Sequence, residues 1–404
     1  MIVRVSLGTL ALAGIAGGAH ADSFSEALAK SKPILESRLR SESVSQAGLK
    51  DADALTWRNR VGFESGQFGK VKILVEFEDV RALKDDYNSG YNGKTAYAAV
   101  NDPEVTELNR LQLTWTPNAA TTVTAGRQRI LIDDNRFVGN SGWRQDEMTF
   151  DAVRLDVKKG KWSTTYAYLT KINRTAGEYA DWDSDSHLLN VGYAATPALK
   201  VQGFVYALDF KNSAYNSTLT TGLRFSGEKP LSKTTKLTYA GVIAKQVDHG
   251  NNPSDFSLKA VNGEVGVNHG RWKVVAAYEK NEGNGVRGFI TPIGSAHNIR
   301  GWADAFSTNG NKVLPDGLND LNFTTTYAHP TQIGPLKKPT LTVSYHDFKT
   351  DRNSRAVGKE WDALASAALT KNLTVSVKYA DFDRADSSMP ASRRKVWVGL
   401  EYKL

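Results

Sequence analysis

The sequence predicts an all-β fold, a transmembrane antiparallel β-barrel of about 18 strands with short periplasmic turns and long extracellular loops. Three observations predict it. Apolar and polar residues alternate with period two in segment after segment from Pro33 to the C-terminus. The connectors between these segments alternate between short and long. Charged side chains, arginine above all, occupy the face opposite the apolar one. A soluble sheet rarely puts guanidinium groups where its core must pack, whereas a barrel with a wet interior turns its polar face inward.

The whole chain sets wider bounds. Its 404 residues contain no cysteine, which excludes disulfides and thiolate metal sites. The formal charge of +8 comes from 51 Lys and Arg against 43 Asp and Glu. It is spread without a basic block, so no nucleic-acid partner is expected. Residues 1–21 read as a signal peptide. Arg4 supplies the positive region, Val5 to Ala16 the short apolar region, and Ala19-His20-Ala21 the small-x-small cleavage site, with Asp22 as the first mature residue. Export through the inner membrane to the outer membrane of a Gram-negative cell is the expected route. Residues 22–32 form a short periplasmic lead-in with a helical turn or two, and 33–404 form the barrel.

The strands expected in order are 33–43, 55–65, 69–81, 106–116, 121–132, 149–158, 161–171, 187–196, 199–210, 218–228, 235–247, 256–268, 271–282, 318–329, 339–349, 359–370, 372–383 and 393–404. In the third, Val71, Ile73, Val75 and Phe77 alternate with Lys72, Glu76 and Glu78. In 199–210 and 235–247 the parity blurs, because apolar residues stand on both faces. Turn compositions close the short connectors at 65–69, 116–120, 158–161, 196–198, 269–271 and 370–372. The long connectors are 82–105, 132–148, 172–186 and 283–317. The last strand, with Val396, Val398, Leu400, Tyr402 and Leu404 on one face, is similar to the C-terminal strand by which outer-membrane proteins address the assembly machinery. Trp57, Trp115, Trp162, Trp272, Trp361 and Trp397, with several tyrosines, are expected in interfacial girdles against lipid and lipopolysaccharide.

If the apolar face meets lipid, its opposite lines a pore. That parity assigns inward Arg38, Arg40, Arg58, Arg60, Lys72, Glu76, Arg110, Arg127, Arg129, Arg154, Asp156, Arg224 and Lys378. An Arg or Lys on the lipid face near the midplane would cost about 2–4 kcal/mol, which disfavours the other register. A ladder of cations passes anionic solutes, and interspersed carboxylates keep any site from holding them too tightly. Four arginines, 127, 129, 136 and 144, fall within eighteen residues. Asp133, Asp134, Arg136 and Arg144 belong to the connector 132–148, which we expect to fold inward as a constriction.

Enzyme chemistry finds no support in this sequence. The seven histidines lack metal-ligand spacing, and Ser344 with His346 shares a strand face without a recognisable third partner. Asp181, Asp183 and Asp185 read as a solvated acidic loop. No cofactor, metal or catalytic residue is expected.

One block is more specific. Gly126-Arg127-Gln128-Arg129-Ile130, Asn135-Arg136-Phe137-Val138-Gly139, Gly142-Trp143-Arg144-Gln145 and Phe150-Asp151-Ala152 resemble the signature block of the bacterial alginate-export outer-membrane family. Trp57-Arg58-Asn59-Arg60, Asp102-Pro103-Glu104 and Leu108-Asn109 fit the same pattern. The resemblance implies an eighteen-stranded porin whose arginine-rich pore suits an anionic solute or a uronate-type polysaccharide.

Overall fold

The alternating segments become eighteen antiparallel strands. They are β1 Lys32–Gln46, β2 Ala52–Glu64, β3 Val71–Asp86, β4 Val105–Asn118, β5 Thr121–Gln128, β6 Thr149–Lys159, β7 Trp162–Asn173, β8 Trp182–Thr196 and β9 Leu199–Leu208. They continue with β10 Thr218–Pro230, β11 Thr235–Asp248, β12 Ser257–His269, β13 Trp272–Asn281, β14 Leu318–Ala328, β15 Lys337–Lys349, β16 Ala356–Ala368, β17 Leu373–Arg384 and β18 Arg393–Lys403. Each pairs with its neighbours in sequence, and β1 pairs with both β2 and β18, so the sheet closes without a free edge. The computed structural model describes residues 23–306 and 314–404. The signal peptide expected at 1–21, Asp22, and part of the connector 283–317 lie outside the described residues.

Register converts alternation into two faces. Leu39 stands opposite Leu400 and Trp57, while the next residue back, Arg38, stands opposite Glu401 and Arg58. Directly opposed residues share a face. On the outer face Val61, Phe77, Ile243 and Trp361 are each more than half exposed. So much outward aliphatic and aromatic surface has no place in water and suits a lipid surround. A helix, α1 Phe24–Ala29, lies at the end holding both termini. Ser23 caps it by accepting the Glu26 amide at 3.2 Å, and the Glu26 carboxylate accepts the Ser23 amide at 2.9 Å. Phe24 packs edge-on against Phe68 of the β2–β3 turn.

Several boundaries differ from the sequence reading. The fifth strand ends at Gln128, not at 132. Gly126 sits at φ +111°, where a Cβ would strike the Leu111 carbonyl, and beyond Gln128 the chain leaves the wall. Strand β8 starts at Trp182, so the long connector expected at 172–186 shrinks to 174–181. Asp183 and Asp185 therefore lie on a strand. Asp181 accepts from the Arg174 amide and pairs with Lys171, while Asp185 accepts from the Tyr168 hydroxyl. Trp397, expected in a girdle, is buried on the inner face because it packs edge-on against Trp143 and His297.

The blurred parity of β9 and β11 also has a physical cause. Their inward residues Phe204, Tyr206, Leu208, Val242 and Ala244 join a buried cluster with Ile130, Ile132, Val138, Phe289 and Ile293. Two long connectors enter the barrel here and dock on an apolar patch of its inner wall. Apolar residues are therefore needed on both faces of those strands.

Candidate constriction site

The connector 129–148 leaves β5 and crosses the lumen, anchored at each step by a side chain of the wall. Arg129 swings in to the carboxylates of Glu147 and Glu76. Asp133 and Asn135 take positive φ and turn the chain. Asp133 then accepts from Asn190 at 3.1 Å and from Gln202, and Asp134 accepts from Arg224 at 3.0 Å. Arg136 pairs with Glu279 on β13. Val138 forms a parallel bridge to Ile293 of the connector after β13. Gly139 is required at this crossing, since a Cβ would lie 2.7 Å from the Asn135 Cβ and would clash with the Ser295 hydroxyl.

The far half of the connector meets β1 and β2. Arg38 donates from Nε to Gln145 Oε1 at 2.8 Å and to the carbonyls of Gly142 and Arg144. Arg40 donates to the Trp143 carbonyl and pairs with Asp102. The Gln145 backbone amide donates to the Asp102 carboxylate at 2.8 Å, and its side-chain amide donates to Thr56 Oγ1 at 2.8 Å. Arg144 bonds Asp304 at 2.7 Å and lies 3.5 Å from Glu42. The connector thus bridges opposite parts of the wall.

The connector after β13 completes the neck. His297 stacks on Trp143 with ring centroids 4.6 Å apart, and Arg300 pairs with Glu279 at 3.1 Å. Asp304 gathers Arg144, Lys395 at 2.9 Å and His297 Nδ1 at 2.7 Å. Burial would raise the Asp304 carboxyl, but His297, Lys395 and Arg144 hold it well below its ordinary value. Burial and the nearby Lys378 ammonium push His297 down to about 3, so it stays neutral, donates to Asp304 and accepts from Lys378 at 2.6 Å. Glu147 is held at about 2: burial opposes ionisation, but Arg60 and Arg129 outweigh it. Asp146 goes the other way, well above the ordinary range, through burial and the like charges of Glu107 and Glu78.

The residues singled out in the sequence fall into distinct settings. Arg58 bridges Glu36 and Glu401, both at 3.3 Å, across the seam where β18, β1 and β2 meet. Arg60 pairs with Glu78 and Glu147, and Arg110 with Glu76. Arg154 pairs with Asp156 at 2.8 Å on the inward row, and Lys72 with Glu64 at 3.0 Å near the end holding the termini. Lys378 is buried, its ammonium 3.7 Å from the Trp143 ring and 3.9 Å from the Trp302 ring. Arg127 departs from the parity expected of it. It stands opposite Leu111, which is exposed on the outer face, and pairs with Asp151 at 2.8 Å. The reason is that β5 turns Thr124 and Gln128 inward, both buried, which puts the odd-numbered Arg127 on the outer row.

The sequence reading did not single out Glu42, Asp102, Asp146, Glu147, His297, Asp304, Glu360 or Asp362 as site residues. All are buried inside the barrel or half-buried at its neck. Ser344 and His346 have separate partners, Thr324 at 2.9 Å and Asp320 at 2.9 Å. Above the neck a cavity of about 110 Å³ is lined by Tyr91, Trp143, Arg144, Arg174 and His297, contributed by four outer connectors.

A family model described as alginate export matches residues 35–279. Among solved structures, Pseudomonas aeruginosa OccK1 (OpdK) is similar at 13% identity and a TM-score of 0.71, covering 93% of this chain and 99% of that one. Acinetobacter baumannii OccAB2 is similar at 15% identity and a TM-score of 0.72, covering 94% and 99%. P. aeruginosa OpdK with vanillate is similar at 13% identity and a TM-score of 0.70, covering 93% and 99%. No curated protein matches in sequence.

Proposed function

The chain belongs to the alginate-export family of outer-membrane β-barrel porins, and from that premise we propose that its channel passes anionic solutes past a neck formed by the connector 129–148. One observation carries the reading. Arg38 faces the lumen half-buried, and among the described residues it has neutral carbonyl partners and no carboxylate in ion-pair range. Glu401 stands opposite it but is shared with Arg58 and Lys403, while Arg40, Arg58 and Arg60 crowd the same stretch of wall, so the local field at the narrow part of the path stays positive. The neighbouring arginines are compensated by carboxylates. They shape the wall and limit how tightly an anion is held. Small carboxylates are the natural first probes, vanillate among them, since OpdK was solved with it. The protein reconstituted in a planar bilayer under a salt gradient supplies the test. Anion-selective conductance that weakens in Arg38→Gln supports the reading, and cation selectivity of the parent channel overturns it.

A second reading, secretion of an alginate-like exopolysaccharide, is favoured by the family's description. It requires that deleting the protein abolish secreted acidic polymer. Unchanged secretion would leave the solute channel as the reading.

A further inference from the structure

On the outer wall, away from the lumen, β8 to β12 enclose a groove of about 650 Å³. Its floor and sides are apolar: Leu189, Val205, Leu223 and Ile243, all facing outward and exposed. The depression exists because Gly203 stands in the row between Val191 and Leu223, and its missing Cβ would meet only a Leu223 methyl at 3.7 Å. At one end stand Lys245 and Lys259, directly opposite each other on β11 and β12. Both are exposed. Opposed residues in an antiparallel pair place their Cβ atoms about 5 Å apart.

The position of this pair is unusual. Lys245 precedes the end of β11 at Asp248 by three residues, and Lys259 follows the start of β12 at Ser257 by two. Those strand ends are opposite the end holding the termini, hence extracellular. Two like charges side by side on a lipid-facing wall repel each other and lose hydration unless an anion lies between them. Among the described residues neither ammonium has an ion-pair partner. Glu282 stands opposite Lys259 across β12 and β13, but its carboxylate accepts the Lys259 backbone amide at 2.8 Å, and among the described residues no ion pair joins it to either ammonium.

We propose that this groove is a lipopolysaccharide site, in which a phosphate of the lipid A headgroup bridges Lys245 and Lys259 and an acyl chain lies in the groove over Gly203. Charge complementarity and depth select this occupant. A phosphorylated lipid of the outer leaflet places its anionic group at the rim and its acyl chains below, in the order in which the wall presents lysines and then aliphatics. A zwitterionic lipid supplies the chain but no net charge. The site lies outside the channel, so it is independent of what the lumen carries.

Native mass spectrometry of the full-length protein in detergent tests the site, with bisphosphorylated lipid A as the probe. Dephosphorylated lipid A and phosphatidylethanolamine serve as comparison lipids. The parent protein should retain lipid A, and K245Q/K259Q should bind it at least about tenfold more weakly. Dephosphorylated lipid A should bind the parent as weakly as lipid A binds the variant. Gly203→Leu fills the groove with the lysines intact and should also lower occupancy. K158Q/K159Q, at the opposite end of the barrel, should not. Heat-dependent gel mobility reports that each variant is folded, and conductance should be unchanged in all of them. The proposal fails if folded K245Q/K259Q holds lipid A like the parent. It also fails if phosphatidylethanolamine binds equally well, or if the face is covered by a second copy in a dimer that excludes the lipid.

Discussion

Arg38, Arg58 and Arg144 share the inner surface but differ in what surrounds the charge, and their substitutions should differ accordingly. Arg38 has no carboxylate in ion-pair range but holds the connector through three carbonyls, so Arg38→Gln should loosen the neck by about 1–2 kcal/mol and lower the anion-to-cation permeability ratio by roughly fivefold, the effect of about 1 kcal/mol. Arg58 joins Glu36 and Glu401 across the closing seam. Arg58→Ala removes the link across the seam while Glu36 keeps Arg60 and Glu401 keeps Lys403, and should cost about 2 kcal/mol, read as a lower unfolding temperature with selectivity retained. Arg144 compensates Glu42 and Asp304 together, so Arg144→Ala should release the neck and raise current noise. The sequence made the arginines visible as a set but not these differences. Period-two counting places Glu279 and Glu401 on the inner face but does not say which distant arginine each reaches, and Asp304 lies in a connector outside any strand. Arg127 shows the same limit. Its inward assignment followed from a strand expected to run to 132, whereas β5 ends at Gln128 with Thr124 and Gln128 on the inner row.

At the scale of the element, the connector 129–148 docks against the connector after β13, and the titratable groups of both set a pH window. His297 is held at about 3 when docked, against about 6.5 when released. The released form therefore takes up a proton that the docked form refuses, and docking weakens as pH falls from about 6.5 toward 3. Asp304, depressed by its cationic neighbours, adds a loss in the same direction below its ordinary range. Asp146 has the opposite sign. Docked, it keeps its proton above the ordinary carboxylate pKa, so it opposes docking as pH rises, by about 1.4 kcal/mol per unit of pH up to its raised value. Asp146→Asn should therefore leave the neck as stable or more stable at neutral pH. Current noise recorded from pH 7 down to 4 should increase in the parent channel, and a flat profile would contradict the docked-loop account. Turn residues and length made this connector recognisable as long. Its inward course became legible only through Phe204, Val242 and their neighbours, apolar residues that read in sequence as blurred parity.

For the molecule as a whole, the fold was legible because a closed barrel repeats one rule, apolar out and polar in, along every strand. Each instance is weak and the repetition is strong. The rule fails where the inner wall is dry: at β9 and β11, at the end of β5, and at Trp397. Each of these sites lies under a docked connector. The same architecture predicts that removing residues 134–146 keeps the barrel closed, since β1 to β18 pair without them, and raises single-channel conductance. In the proposed channel the lumen conducts, and the excess positive charge of Arg38, Arg40, Arg58 and Arg60 along its narrow wall selects anions. The reversal potential of the parent protein in a planar bilayer under a potassium chloride gradient measures this directly. An anion-selective reversal potential that moves toward zero in Arg38→Gln is expected, and a silent or cation-selective parent channel would overturn the anion-channel reading.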